Sequence, residues 1–297
     1  MDNNLENEQV KRYRMMAIGS FSLGFFLFLI GIMMGFSFDL APALTTMLLG
    51  MGCIYLGNSF SKKFATIIKN SLVKEVYSKL FDEVTYDGKA GISKSEVERL
   101  NLFTTGSSFV TNDLIKGKYN NIKFSKCDVN TSTTTQSGNS TSTTVIYFSG
   151  QVYSFDFPRN LEYYHRVGSK TLSNFVRRIN PFRFEKIQFE DSMFNKSFKT
   201  VTTNDHEAFL VFTPHFMRKV LDLEYQMREP IAIVLVKNVI YVAVNTSKDM
   251  HEPKLFSGAD AKYKGDLESS ANIIKGIIAT LGLENDYLNV DRGLSND

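Results

Sequence analysis

The residues best suited to acid–base or metal chemistry are four histidines and one short acidic cluster. His206 and Glu207 begin like the HExxH helix of zinc proteases, but the fifth position is Leu210, so the second histidine ligand is missing. Asp205 completes the cluster, and carboxylates at the start of a helix are also stabilised by the helix dipole. The other histidines are isolated in the sequence: His165, His215 and His251. We therefore predict no catalytic residue and no metal site.

Other short motifs of catalysis and cofactor binding are missing from the sequence. It contains no CxxC pair, no GxxxxGK phosphate loop, no GxSxG elbow and no dinucleotide-binding glycine fingerprint. Its two cysteines, Cys53 and Cys127, lie far apart, so their spacing predicts no disulfide framework. We predict no cofactor.

Basic residues are concentrated between Arg159 and Lys199, where nine lysines and arginines accompany four acidic residues. A basic residue near an anionic bilayer gains about 1 kcal/mol, so this segment predicts contact with anionic lipid head groups. An ordinary solvated face explains the excess equally well. Nucleic-acid binding is not predicted, because the net charge is only +3 and no recognition motif is present. The candidate membrane-surface residues are Arg159, Arg166, Lys170, Arg177, Arg178 and Arg183.

Two uncharged apolar stretches lie near the N-terminus, before all of the residues considered above. Residues 15–38 and 40–61 contain no charged side chain, and Asp39 separates them. Because about 20 helical residues cross a bilayer, they predict a transmembrane hairpin with spans at about 15–38 and 40–60. A cleaved signal peptide is the alternative for the first stretch, but its apolar run exceeds the roughly 7–15 residues of such a peptide. Gly31 and Gly35 form a GxxxG motif, which fits a dimer interface or, as we favour, packing against the second helix.

Basic residues flank both apolar stretches and are missing from the turn between them. Such residues stay in the cytoplasm, so we predict a multi-pass protein of the cell membrane with both termini cytoplasmic and the lipid bilayer as its partner. The flanking residues are Lys11, Arg12 and Arg14 before the first stretch, and Lys62, Lys63 and Lys69 after the second.

The chain behind the hairpin predicts an α+β fold, in which antiparallel sheet is flanked by helices. Apolar residues at helical spacing predict a helix over 62–82, and Ser93 can cap a short helix that ends at Leu100. Short β-rich runs follow at 114–119, 122–125, 145–157 and 161–167, with a bulge or turn at Gly150. The predicted domains are a hairpin at 1–61, a helical connector at 62–105, a cytoplasmic domain at 106–283 and a polar tail at 284–297.

The second half of this domain predicts three helices and more strands. A short helix is predicted at 171–179 and strands at 182–189 and 194–202. Thr213 and Pro214 are suited to the cap and first position of a helix that ends near Met227. Residues 231–236 and 239–244 predict two strands around a two-residue turn. Asp266 can cap a last helix that ends at Gly282.

Residues 130–144 contain only Asn, Thr, Ser, Gln and Gly. A segment without apolar or charged groups has nothing to bury, so we predict a mobile loop. A loose hairpin loop is favoured over a recognition loop or a phosphorylation tract.

Several short segments, taken in order, resemble a bacterial family of unknown function, number three-one-three-seven in that series. The resemblance covers residues 91–256 and implies two transmembrane helices before a cytoplasmic domain with a closing hairpin at 231–244. It implies no activity. The segments are FSG at 148–150, FDF at 155–157, FNKSFKTV at 194–201, HEA at 206–208, FTP at 212–214, FM at 216–217 and EPKLF at 252–256.

The predicted function is that of a membrane-anchored cytoplasmic binding or scaffold protein that is not evidently catalytic. The alternative is a membrane-tethered enzyme of an unrecognised type. A protein partner is expected, and the sequence does not name it.

Overall fold

The computed structural model describes residues 2–37, 40–137, 141–171, 184–246 and 259–284. Several predicted features lie outside these ranges: Asp39, all but the first residue of the predicted helix at 171–179, the first two residues of the predicted strand at 182–189, His251, the EPKLF segment and most of the polar tail. The chain divides into two compact units, Met1–Glu75 with His251–Asp266, and Val76–Met250 with Leu267–Asp297. The predicted α+β fold, with two long apolar N-terminal helices and an antiparallel sheet with flanking helices, is confirmed.

The first unit is built on two long helices, α1 (Asp2–Ser37) and α2 (Leu40–Leu80). Glu8–Phe36 of α1 and Leu40–Leu80 are long and apolar enough to cross a bilayer, which makes both helices compatible with membrane association. Close packing between them depends on small residues. A Cβ atom at Gly24 would lie 2.8 Å from the Gly50 carbonyl oxygen, and one at Gly31 would lie 2.6 Å from Met47 Cγ. Gly31 therefore serves the packing of the two helices, as favoured above.

The second unit contains one antiparallel sheet, which in the described residues has seven strands in the order β1-β2-β3-β4-β6-β5, with β7 also paired to β4. The central strand β4 is 29 residues long and pairs with β3, β6 and β7. The strands are β1 (Asp82–Asp87), β2 (Ser108–Tyr119), β3 (Ile122–Ser137), β4 (Thr141–Ser169), β5 (Glu185–Ile187), β6 (Phe198–Thr202) and β7 (Ile231–Val244).

Five helices accompany the sheet in the described residues, and side-chain caps define several of their starts. Ser93 accepts the backbone N–H of Glu96, and Thr213 accepts that of Phe216, as their sequences predict. The last helix already includes Ala259, so the predicted cap at Asp266 is wrong. The helices are α3 (Lys94–Arg99), α4 (Ser192–Ser197), α5 (Asp205–Val211), α6 (Pro214–Met227) and α7 (Ala259–Leu281).

Residues 231–244 form one strand, so the predicted hairpin around Lys237 and Asn238 is wrong. Both halves of β7 pair with β4, from Gln151↔Val244 to Gly168↔Ala232, and the pairing shifts register on either side of Leu161↔Lys237. Lys237 has φ 54°, which a turn would also require. Both halves of β7 run antiparallel to β4 and bond to its backbone. The change of register around Lys237 is therefore a bulge within one strand.

Most of the polar stretch 130–144 is strand, so the predicted loop is also wrong. Residues of β3 and β4 pair from Asn130↔Ser149 to Ser137↔Thr141, and the Thr134 and Thr144 hydroxyl oxygens lie 2.9 Å apart. Threonine favours strands, and backbone ladder bonds need no apolar side chain, so the sheet continues through this stretch.

Two shorter corrections concern neighbouring parts of the sheet. The predicted strand at 194–202 begins only at Phe198, because Asp191 accepts the N–H groups of Met193 and Phe194 and starts α4. Gly150 lies within continuous β4 pairing. A Cβ atom there would lie 2.0 Å from the Val244 carbonyl oxygen, so glycine is required by the close approach of β7.

Candidate functional site

Four basic residues of the second unit form a cluster that we call the basic face: Arg166, Lys170, Lys186 and Lys199. Arg166 on β4 pairs with Val201 on β6, and Val201 pairs in turn with Lys186 on β5. Gly168, two residues after Arg166, pairs with Lys199. Directly paired residues share one face of an antiparallel sheet, so Arg166, Lys186 and Lys199 project to the same side.

Arg166 occupies the buried end of this face, with 1% of its surface exposed. Its Nη2 donates to the Leu102 carbonyl oxygen at 3.2 Å, while Nε and Nη1 have no hydrogen-bond partner among the described residues. Tyr164, two residues earlier, donates its hydroxyl to the Leu100 carbonyl oxygen at 2.8 Å. Both contacts hold the segment after α3 in place. Tyr164 uses its single O–H donor in its contact, whereas Arg166 uses only one of its five N–H donors.

The guanidinium of Arg166 lies over Gly168. A Cβ atom at Gly168 would lie 3.3 Å from Arg166 Nη2, which is tighter than ordinary contact. Lys199 pairs with Gly168. Because Gly168 has no side chain, the Arg166 guanidinium can lie over it, beside Lys199. Glycine at 168 therefore leaves the room that this arrangement uses.

The electrostatics of the basic face are repulsive. Partial burial lowers the pKa of Lys199, and the charges of Lys186, Arg166 and Lys170 lower it further. Burial also lowers the pKa of Arg166, and Tyr164 opposes that effect. Among the described residues, no carboxylate contributes to either pKa. A cluster of uncompensated positive charges attracts anions.

The candidate membrane-surface residues fall in different places. Arg166 is buried at the inner end of the basic face and is not exposed at the surface, as a membrane-surface residue would be expected to be. Arg159 lies outside the basic face and donates from Nη1 to the Leu210 carbonyl oxygen at 3.0 Å. Lys170 is exposed and donates to the Asn195 carbonyl oxygen. The others, Arg177, Arg178 and Arg183, lie outside the described residues and stay predictions.

Lys186 and Lys199 were not among those candidates, although they belong to the same basic segment. Their membership of the basic face follows from strand register, which brings β4, β5 and β6 together. A period-two pattern over 198–202 would place Lys199 and Val201 on one side, but it would not name Arg166 as their neighbour.

The acidic cluster is used differently from what the sequence predicts. Glu207 lies in the first turn of α5, as expected, but His206 is not its partner. Its Oε2 lies 2.7 Å from Nε2 of His165 on β4, and its two oxygens accept the backbone N–H groups of Glu162 and Tyr163 at 3.0 and 2.9 Å. His165 is fully buried, and its Nδ1 lies 2.8 Å from the Thr202 hydroxyl.

The pKa directions define the charges of this pair. Burial lowers the pKa of His165 by more than Glu207 raises it. Burial opposes ionisation of Glu207, but the N–H of Glu162, the His165 ring and the N–H of Tyr163 together lower its pKa below the ordinary value. A neutral ring donates from Nε2 to the carboxylate, and its Nδ1 faces the Thr202 hydroxyl, which also lies 2.7 Å from the Asn204 carbonyl oxygen. We call this arrangement the His165 latch; it joins α5 to β4 and leaves no ring nitrogen for a substrate.

Other chemistry-bearing residues border a small pocket. A cavity of about 200 Å³ borders Cys127, Glu96 and Tyr241, which is below the roughly 300–1,000 Å³ of ligand sites. Burial raises the pKa of the Cys127 thiol, which disfavours a reactive thiolate. No cluster of three or more metal-ligating residues occurs in the described part of the chain.

No curated protein matches the chain. The crystal structure of the mycobacterial trehalose monomycolate transport factor A, TtfA, is similar at 11% identity, with a TM-score of 0.35, covering 71% of this chain and 94% of that one. Residues 146–283, which include the basic face and the His165 latch, match the family model described as "Protein of unknown function (DUF3137)". This is the family that the sequence motifs resemble, so the resemblance is confirmed over residues 146–283.

Proposed function

We propose that the chain is a membrane-anchored binding protein whose basic face binds anionic lipid head groups. One observation carries the proposal: strand register places Arg166, Lys186 and Lys199 on one side of the sheet, and the Lys170 backbone is bonded to Ser197 beside them. Lys170 and Lys186 are exposed and Lys199 is partly exposed, so three of the four charges can meet a surface. Each is expected to contribute about 1 kcal/mol near an anionic bilayer.

The anchor is part of the same proposal. Helices α1 and α2 are long and apolar, and their glycines allow close packing as a hairpin. With basic residues before the first and after the second apolar stretch, both termini would lie in the cytoplasm. A tethered domain meets lipid head groups at a high effective concentration, so even weak attraction suffices. A reporter fused after Asp297 should be active in the cytoplasm, and activity on the opposite side of the membrane would contradict the topology.

Lipid binding is tested with the full chain in nanodiscs of neutral lipid, mixed with separate vesicles and separated by flotation. Vesicles with phosphatidylglycerol should carry the nanodiscs upward, and vesicles of phosphatidylcholine should not. Binding should fall as salt rises, because salt screens exposed charges over about 8 Å at physiological ionic strength. Equal flotation with both vesicle types, or with neither, would contradict the proposal.

A matched pair of double variants assigns the binding to the basic face. Lys186→Gln with Lys199→Gln should weaken flotation at least threefold. Lys89→Gln with Lys123→Gln removes the same charge from two exposed positions that are not part of the basic face. This control should change flotation little. Equal losses in both double variants would show that net charge, and not the basic face, attracts the vesicles.

A further inference from the structure

We propose that Arg166 and Lys199 form a specific site for one phosphate group, carried by a lipid head group or present as a free phosphate. The inference deepens the proposed function and rests on it for the lipid source. It goes beyond surface attraction, because it assigns a directed hydrogen-bonding role to a buried side chain.

The first argument is the unused donor capacity of Arg166. The guanidinium has five N–H groups. The Leu102 carbonyl oxygen accepts one bond from Nη2, while Nε and Nη1 lack partners within the described residues. Buried donors without acceptors destabilise a fold, so such groups are found where a ligand or another acceptor completes them. Here the missing element is an acceptor with several oxygens.

The second argument is the placement of the lysines. The guanidinium lies over Gly168, which pairs with Lys199, and Lys186 occupies the same side of the sheet through Val201. Arginine offers a planar fork of donors and lysine a compact positive charge. Together they match a phosphate, which has three strong acceptor oxygens and a charge between about −1.5 and −2 near neutral pH.

The third argument is access. Exposure increases from Arg166, which is buried, through Lys199, which is partly exposed, to Lys186, which is exposed. An anion would therefore meet the lysines first, and it would reach the buried Nε and Nη1 of Arg166 only after the groups that cover them move aside. The contact with Leu102 holds the guanidinium in place before the anion arrives, so binding requires little reordering of that side chain.

The experiment uses the full chain in neutral nanodiscs and three probes: inorganic phosphate by calorimetry, and vesicles with phosphatidic acid or phosphatidylglycerol at matched surface charge. The site predicts binding of inorganic phosphate, preference for phosphatidic acid, or both. Arg166→Met should reduce that binding at least tenfold. Gly168→Ala should reduce it through the crowded guanidinium. Lys123→Gln, which removes one exposed charge outside the basic face, should reduce it less than threefold.

The outcomes separate this inference from the proposed function. Phosphate binding that requires Arg166, without binding to any anionic vesicle, would support the site and overturn the lipid role. Equal binding to both anionic vesicles that Arg166→Met leaves unchanged, with no binding of inorganic phosphate, would overturn the site and leave the lipid role. Thermal melts of the Arg166→Met and Gly168→Ala variants report folding. If either variant is unfolded, the wild-type preference between the two vesicles and its phosphate isotherm decide the question.

Discussion

His165 and Arg166 are neighbours on β4, both are buried, and both are ionisable, yet their surroundings differ. His165 has a partner at each ring nitrogen, Glu207 at Nε2 and Thr202 at Nδ1. Arg166 donates to Leu102, and its Nε and Nη1 have no partner in the described residues. Successive residues of a strand point to opposite faces, so the two side chains lie in separate environments although their backbones are adjacent.

The difference separates a structural role from a binding role. A buried polar group with all its partners stabilises the fold and has no capacity for a ligand. A buried cation with unpaired donors can still donate hydrogen bonds to a ligand. The His165 latch should therefore matter most for stability, and Arg166 most for binding.

The largest effect is expected from Glu207→Ala. The change leaves His165 Nε2 and the N–H groups of Glu162 and Tyr163 without their acceptor, so the free energy of unfolding should fall by about 2–4 kcal/mol. Chemical denaturation of the full chain in detergent, followed through the sheet domain, measures it. Asp205→Ala removes a carboxylate from the same helical turn and is the control, with an expected loss below about 1 kcal/mol. If both variants lose the same free energy of unfolding, Glu207 stabilises the fold only through the helix dipole and not through the His165 latch.

An intermediate effect is expected from acidification. The fold holds His165 neutral, while the unfolded chain protonates it near the ordinary pKa of 6.5, so the unfolded state binds more protons as pH falls. The free energy of unfolding should therefore decrease below about pH 6.5, by at most about 1.4 kcal/mol per pH unit for one proton. Glu207, ionised in the fold with a lowered pKa, should add a second decrease below its ordinary value of 4.5.

The contribution of His165 to this pH dependence is isolated by His165→Gln. Denaturation curves at pH 7.5, 6.5 and 5.5 should show a smaller decrease in the variant than in the wild type. His206→Gln, which changes an exposed histidine in the adjacent helix, should keep the wild-type decrease. An unchanged slope in His165→Gln would show that His165 is already protonated in the fold.

The smallest effect on stability is expected from Arg166→Met. Replacing a buried, incompletely paired cation by an apolar side chain of similar length is often close to neutral, so the free energy of unfolding should change by less than about 1.5 kcal/mol. The same denaturation measurement applies. A loss as large as that of Glu207→Ala would remove the contrast between the two neighbours and make Arg166 a structural residue.

Local signals in the sequence were sufficient for many elements of this fold. Thr213 and Pro214 start α6, Ser93 starts α3, and the two apolar stretches give α1 and α2. Each of these depends on residues within one or two helical turns, where side-chain type and backbone preference act together. The α+β class follows from the same signals.

Elements that depend on a distant partner were predicted less well. The sequence predicts a turn at Lys237, and this residue does have φ 54°. It nevertheless lies within the 14-residue strand β7, because β4 pairs with the residues on both sides of it. The polar residues 130–137 became strand because β4 supplies the ladder. In both cases hydrogen bonds from a remote strand outweighed the local preference.

The candidate site shows the same division. Residue types alone predict the excess of basic residues between Arg159 and Lys199 and the two apolar helices before it. The burial of Arg166, its grouping with Lys186 and Lys199, and the pairing of His165 with Glu207 follow from the folded sheet. Residue type sets charge and hydropathy, whereas strand register sets which charges share a face. A shift of one residue would have sent Arg166 to the side of the His165 latch.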